Sequence, residues 1–204
     1  MYWSSVLAAF VGLAAAVPMA PVPPPSKVKI HGVTLIGSGC PYKDSAKVLI
    51  DETKTLFEVG FSEYIVSSGK GKGASDWRKN CKLSINMEFD AGYQFSIIDT
   101  SMTGYAQIAN KGLGYCDNTF SFTGQRDKIV YPLTIKGPYQ GDFELHASPG
   151  ISSYSPCGGS TAILNLNTQC RLSPTNLESL IAVDSVGGSL TVLFAIQWQK
   201  CGHH

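Results

Sequence analysis

The sequence predicts an all-β fold, a disulfide-bonded antiparallel β-sandwich of jelly-roll-like type with at most one short helix. Three observations carry that expectation. Apolar and polar residues alternate with period two through most of the chain. Glycines and prolines, 21 and 11 of the 204 residues, punctuate those runs as turn signals. Six cysteines, an even number, suit an oxidising compartment in which they pair. The clearest run sets Leu83, Ile85, Met87 and Phe89 against Ser84, Asn86, Glu88 and Asp90, giving a strand one dry face and one wet face.

Taken in order, residues 1–16 read as a signal peptide. The stretch from Val6 to Val17 is almost unbroken small-apolar residues, too short to span a bilayer and suited to the hydrophobic region of a secretory leader. Ala14-Ala15-Ala16 supplies small residues for cleavage; an end after Ala20 is the alternative, disfavoured by Pro21. The expected address is secreted, extracellular or cell wall, with no membrane span in the mature chain. Residues 17–27, rich in proline, read as an extended spacer without packing of its own. A single domain follows over residues 28–201, with 202–204 as a tail.

Within the domain, strand patterns fall at residues 28–36, 47–50, 55–61, 83–89, 93–97, 102–108, 119–122, 129–135, 143–146, 162–166 and 190–198. The turn at Ala91-Gly92 makes a hairpin the economical reading of 83–97. Residues 67–80 read as a long mobile loop. Residues 173–183 are the one helical candidate, with Ser173 as cap and Pro174 in the first turn, or else an irregular loop. The last strand is apolar on both faces at Leu193 and Ala195, which predicts a central position.

Sixteen Lys+Arg against 15 Asp+Glu leave a formal charge of +1. A nucleic-acid binder resting on bulk positive charge is thereby excluded. Hydrophobic residues at 44% and charged residues at 15% exclude wholesale disorder.

An ordered series of short motifs resembles a known family. It runs through Gly37-Ser38-Gly39-Cys40-Pro41, Arg78-Lys79-Asn80-Cys81, Gly92-Tyr93-Gln94-Phe95, Gly104-Tyr105-Ala106, Ser155-Pro156-Cys157, Leu164-Asn165-Leu166-Asn167, Asp184-Ser185 and Trp198 with Cys201. The chain is similar in these to the small secreted proteins grouped as domain of unknown function 4360, which have no established activity, cofactor or catalytic residue. The resemblance implies a pairing of cysteines. The family's common cysteines match Cys40, Cys81, Cys157 and Cys201, whereas Cys116 and Cys170 stand as additions and bond each other most simply. The pairing favoured is therefore 40–81, 116–170 and 157–201, with exchange among the four common cysteines as the alternative.

Catalytic constellations are sparse. Gly37-Ser38-Gly39 is not the G-x-S-x-G elbow of an α/β hydrolase, and alternating β/α units are missing too. The four histidines, His31, His146, His203 and His204, do not combine into a metal site at familiar ligand spacing, so no metal or cofactor is expected. Asp51, Glu52, Glu58 and Glu63 form an acidic stretch without the loop pattern of a calcium site. Glu88 and Asp90, two apart on one strand and hence roughly 6.5–7 Å apart, have the separation of a glycosidase acid pair. A solvated strand face has the same pattern.

Aromatics are the richer resource, at 10% of the chain. Trp77 beside Arg78 and Lys79 could combine stacking on a sugar ring with charge-assisted hydrogen bonds, and Tyr105 lies near a turn where it could add a second flat face. Packing of Trp77 over the Cys81 bridge is the competing reading. The expected function is that of a non-catalytic, monomeric wall- or surface-binding protein with glycans as partners. The alternatives are a wall-polysaccharide hydrolase or lyase using Glu88 and Asp90, and an effector or inhibitor contacting an extracellular protein.

Overall fold

An alternating strand buries one side only, so each period-two segment must lay its apolar row against a second layer. The computed structural model shows how, describing residues 22–148, 153–157, 159–182 and 190–202. The expected signal peptide, residues 17–21 of the expected spacer and residues 203–204 lie outside the described residues.

The elements in chain order are β1 (Val28–Ile36), β2 (Ala46–Ile50), β3 (Leu56–Phe61), β4 (Val66–Ser68), α1 (Ala74–Trp77), β5 (Arg78–Phe89), β6 (Tyr93–Ile108), β7 (Leu113–Phe122), β8 (Ile129–Lys136), β9 (Tyr139–Ala147), β10 (Thr161–Ser173), β11 (Ser179–Ala182) and β12 (Leu190–Lys200). They form two antiparallel sheets. One has the order β1-β5-β10-β7-β8; the other has β2-β3-β12-β6-β11-β4, with β9 paired to β6. β12 is central, between β3 and β6, as its two-faced apolar pattern predicts.

Two local expectations are overturned. Residues 83–97 are not a hairpin: β5 belongs to the five-stranded sheet and β6 to the other, so Ala91-Gly92 carries the chain across the sandwich. Both strands send their apolar rows into the same interior, where Phe89 meets Phe95 edge-on at 5.7 Å. Apolar rows alone cannot distinguish that arch from a hairpin. Residues 173–183 hold no helix among those described. Ser173 ends β10, and Ser179–Ala182 is β11, hydrogen-bonded to β4 on one side and β6 on the other. Two ladders outweigh the local helical preference of so short a segment. The helical turn lies instead at α1, inside the expected loop of 67–80, where the Asp76 carboxylate accepts from the Gly73 N–H at 2.9 Å.

The core is aromatic at one end and polar-bridged at the centre. Phe95 sits fully buried among Phe57, Phe89, Phe122 and Trp198, with ring centroids 5.0–6.4 Å away. Across the layers, Asn118 donates to Thr100 Oγ1 at 3.1 Å, and within its own sheet it accepts from Thr168 Oγ1 at 2.8 Å. Tyr131 donates to the Ile97 carbonyl at 2.8 Å. Burial pushes the Tyr131 phenol up, so its hydroxyl stays a donor throughout the working pH range. These paired groups fix how one sheet lies on the other at little desolvation cost, because each has a partner.

The sulfurs join Cys40 to Cys81, Cys116 to Cys170 and Cys157 to Cys201. The first bridge anchors a tight approach of two motifs. Gly37 has φ +146°, and a Cβ there would lie 2.1 Å from the Asn80 carbonyl oxygen; Gly39 lies flat on Tyr64, where a Cβ would come within 2.3 Å of the ring. Tyr64 OH in turn donates toward the Lys79 and Thr168 carbonyls at 2.9 and 3.1 Å and accepts from the Cys170 N–H at 3.0 Å. The G-S-G-C and R-K-N-C segments are thus a structural lock between the β1–β2 connection and the start of β5.

Candidate functional site

The outward rows of the five-stranded sheet follow from the strand pleat. On β10 the inward residues are Leu164, Leu166, Thr168, Cys170 and Leu172, leaving Asn165, Asn167, Gln169 and Arg171 outside. On β5 the outward row is Arg78, Asn80, Lys82, Ser84, Asn86 and Glu88; on β7 it includes Tyr115, Asp117, Thr119 and Ser121. Register sets these rows side by side: Ser84 faces Asn165, which faces Ser121, and Arg78 faces Arg171, which faces Tyr115. The surface is therefore a grid of amides and hydroxyls with a cationic, aromatic end.

Hydrogen bonds order part of this grid. Ser84 Oγ donates to Asn165 Oδ1 at 2.7 Å, and Asn165 Nδ2 donates to Thr123 Oγ1 at 3.0 Å. Arg78 Nη2 donates to Gln169 Oε1 at 2.9 Å, while Gln169 Nε2 donates to Asp117 Oδ2 at 3.3 Å. The Arg171 guanidinium lies over the Tyr115 ring, 5.0 Å from its centroid. Asn86 and Asn167 form no side-chain hydrogen bond among the described residues and keep full capacity for a ligand. A cleft of about 360 Å³ opens on this face, lined by Lys82, Thr119, Ser121, Lys128, Asn165 and Asn167. Next to the Arg171–Tyr115 pair, on the inner side of the same sheet, Cys116 and Cys170 are directly paired across β7 and β10 and bonded to each other.

The residues singled out in sequence are dispersed. Trp77 closes α1 and is half-buried; Arg78 begins β5 on the outward row. Lys79 lies on the alternate row, and its carbonyl holds Tyr64. Tyr105 is on β6, in the other sheet, opposite Asp142 of β9. Trp198 is buried and donates from Nε1 to the Lys54 carbonyl at 2.7 Å. Sequence reasoning overlooks Arg171 and the free amides, although β10 carries a signal: Asn165, Asn167, Gln169 and Arg171 recur at every second position.

Glu88 and Asp90 are both already engaged. Glu88 is bonded by Lys27 Nζ and His31 Nε2, and Asp90 accepts from Ser26 Oγ at 2.7 Å and the Lys27 N–H at 3.1 Å. The hydrogen bond from Lys27 holds the Glu88 carboxyl below the usual range, and that from Ser26 does the same for Asp90. A general acid needs the opposite displacement. With Pro25 buried, the two carboxylates clasp Ser26 and Lys27 at the end of the proline-rich segment. Because the folded values are depressed, this clasp is complete above the ordinary 4.5 and 3.8 of these groups and is lost as pH falls through the lower folded values. The protection factors of the Lys27 and Val28 amides, with the intrinsic pH dependence of exchange divided out, should therefore be constant near neutral pH and fall only on acidification below that range. A fall already between pH 7 and 5 would contradict the assignment.

Among the described residues, no three His, Cys, Asp or Glu side chains gather as a metal site, and no helix is long and apolar enough to cross a membrane.

Comparison with known proteins decides the family. The family described as Domain of unknown function (DUF4360) matches residues 26–201. The chain belongs to that family. A fellow protein, described as an uncharacterized secreted protein of Arthroderma benhamiae, is 36% identical over 183 residues, covering 88% of this chain and 74% of its own length. Among solved structures, TmCBM61 in complex with beta-1,4-galactotriose aligns at 12% identity and TM-score 0.29, over 83% of this chain and 89% of its own. The family 11 carbohydrate-binding module from Clostridium thermocellum, in complex with a beta-1,3-1,4-mixed-linked tetrasaccharide, aligns at 10% identity and TM-score 0.21, over 87% and 90%.

Proposed function

We propose that this DUF4360 chain is a secreted, non-catalytic glycan-binding protein and that the outer face of its five-stranded sheet is the binding surface. The observation that carries the reading is the in-register grid of amides and hydroxyls with open hydrogen-bonding capacity at Asn86 and Asn167. Sugar rings present donors and acceptors at a density that such a grid matches, and Tyr115 offers an aromatic ring at one end. The Cys116–Cys170 bridge beneath supports rigidity, so little ordering cost falls on binding. Secretion is supported by the leader-like first 16 residues, by six paired cysteines and by the secreted relative. Cell-wall polysaccharide is the ligand source that fits this address. In this reading Lys79 and Tyr105 are peripheral.

The test is to incubate the oxidised mature chain with insoluble chitin, β-glucan and cellulose, measuring protein depletion and soluble sugar release. Depletion without release is expected. Release that disappears in Glu88→Gln with Asp90→Asn would overturn the non-catalytic reading in favour of a wall-modifying hydrolase or lyase. A protein-contacting role has one observation in its favour: Ile36 and Tyr42 are each 70% exposed, Tyr42 lining a cleft of about 480 Å³ beside β1. Absence of depletion from every glycan, with Tyr42→Ala disrupting an extracellular protein complex, would move the function there.

A further inference from the structure

Arg78 and Arg171 are direct partners on neighbouring antiparallel strands, both outward and both exposed. Their Cβ atoms should lie on the order of 5 Å apart, a spacing at which like charges oppose each other. Among the described residues, Lys27 forms an ion pair with Glu88, and His31 and His146 contact Glu88 and Glu144; neither arginine has a carboxylate. Each guanidinium is nevertheless positioned. Arg78 is tied to Gln169, which Asp117 orients in turn, and Arg171 lies on Tyr115. The planar guanidinium fork is the group that receives a carboxylate through two parallel hydrogen bonds. Lys82, exposed and four residues along the same outward row of β5, extends the positive potential toward the amide cleft. The whole chain is nearly neutral, so this concentration is local. Asp117, the acid on the neighbouring row, accepts hydrogen bonds from Gln169 and Thr119.

We infer that Arg78 and Arg171 form an anion clamp at the end of the glycan-binding face, and that the preferred ligand is an acidic polysaccharide carrying carboxylates on its sugar rings. The clamp takes the carboxylate, Tyr115 lies beside it to meet a ring face, and Asn86, Asn167 and Ser84 meet the hydroxyls of neighbouring units. An anion between the two guanidinium groups also removes the repulsion that the empty pair carries.

The inference rests on the glycan reading, and the experiment separates the two. Oligogalacturonate and its fully methyl-esterified, neutral twin are titrated into the mature chain by calorimetry at low and high salt. The acid form is expected to bind at least tenfold more tightly than the ester, with the advantage shrinking as salt screens it. Arg78→Gln and Arg171→Gln should each remove about tenfold of the acid's affinity, the contribution of a charge-assisted pair, while leaving the ester's affinity unchanged. Thermal melting of both variants should match or slightly exceed that of the native chain, since one of two like charges is gone; this keeps misfolding from imitating loss of binding. Equal affinity for acid and ester would overturn the clamp and leave the glycan reading standing. Binding of neither twin would overturn the clamp and count against the glycan reading as well. A loss of ester affinity in the arginine variants equal to the loss for the acid would also overturn the clamp, because the residues would then serve as general contacts.

Discussion

Replacing Phe95 by alanine is expected to destabilise the fold by about 3–5 kcal/mol, the range for truncating a fully buried aromatic side chain. The ring is 0% exposed and touches both layers: Phe57 and Trp198 of its own sheet, and Phe89 and Phe122 of the other. Its removal leaves a void between two sheets whose separation is held by the Asn118–Thr100 and Tyr131–Ile97 hydrogen bonds, so the cavity cannot collapse freely. Three disulfides preserve the topology of the unfolded chain but do not fill space. At this chain length the loss corresponds to a fall in Tm on the order of 10 °C. Leu49→Ala, at a side chain 59% exposed on β2, should change stability by no more than about 0.5 kcal/mol. Comparable melting of the two variants would show that the aromatic cluster does not organise the core.

Removing the open amides is the second large effect, and it concerns binding. Asn86→Ala with Asn167→Ala should leave Tm unchanged, because neither side chain has a hydrogen-bonding partner among the described residues to lose. Affinity for a wall glycan should fall by roughly 30- to 150-fold, taking about 1 kcal/mol for each of two or three neutral hydrogen bonds. Glu58→Ala with Lys47→Ala, on the outer side of the seven-stranded sheet, should leave affinity unchanged. Depletion assays on the soluble and bound fractions of all three proteins check the pair of outcomes together. Equal losses from both faces would mean that neither sheet is the specific surface.

The same residues show what the sequence makes legible. Alternation in β1, β5 and β8 is strong because one face of each is wet, and the position of β12 follows from apolar residues on both faces. The Ala91-Gly92 arch was read as a hairpin because apolar periodicity records which rows are buried, not which sheet receives them; only the Phe89–Phe95 contact across the sandwich separates the cases. The segment 173–183 reads as a short helix or an irregular loop because cap and proline chemistry act locally, whereas β11 exists through ladders to β4 and β6, more than 70 residues away in sequence. The binding face was partly visible. Every second residue of β10 is an amide or arginine from Asn165 to Arg171, but their meaning depends on Ser84, Arg78 and Tyr115 arriving on neighbouring strands. Trp77 and Arg78 are legible as a pair because they are adjacent in the chain, whereas Arg171, the partner of Arg78, is 93 positions away. The disulfide pairs follow from family resemblance and not from spacing, since long-range register sets which sulfurs meet.

The central claim is that glycans bind the outer face of the five-stranded sheet. The most direct measurement is a backbone amide NMR titration of the oxidised mature chain with a soluble oligosaccharide of whichever polysaccharide depletes it. The predicted result is a contiguous set of shifts on β5, β10 and β7, centred on Asn86, Asn167 and Ser121 and reaching Arg171 and Tyr115 with an acidic oligosaccharide. Shifts centred instead on Leu49, Glu58 and Tyr105 of the opposite sheet, or on Tyr42 beside β1, would contradict the account.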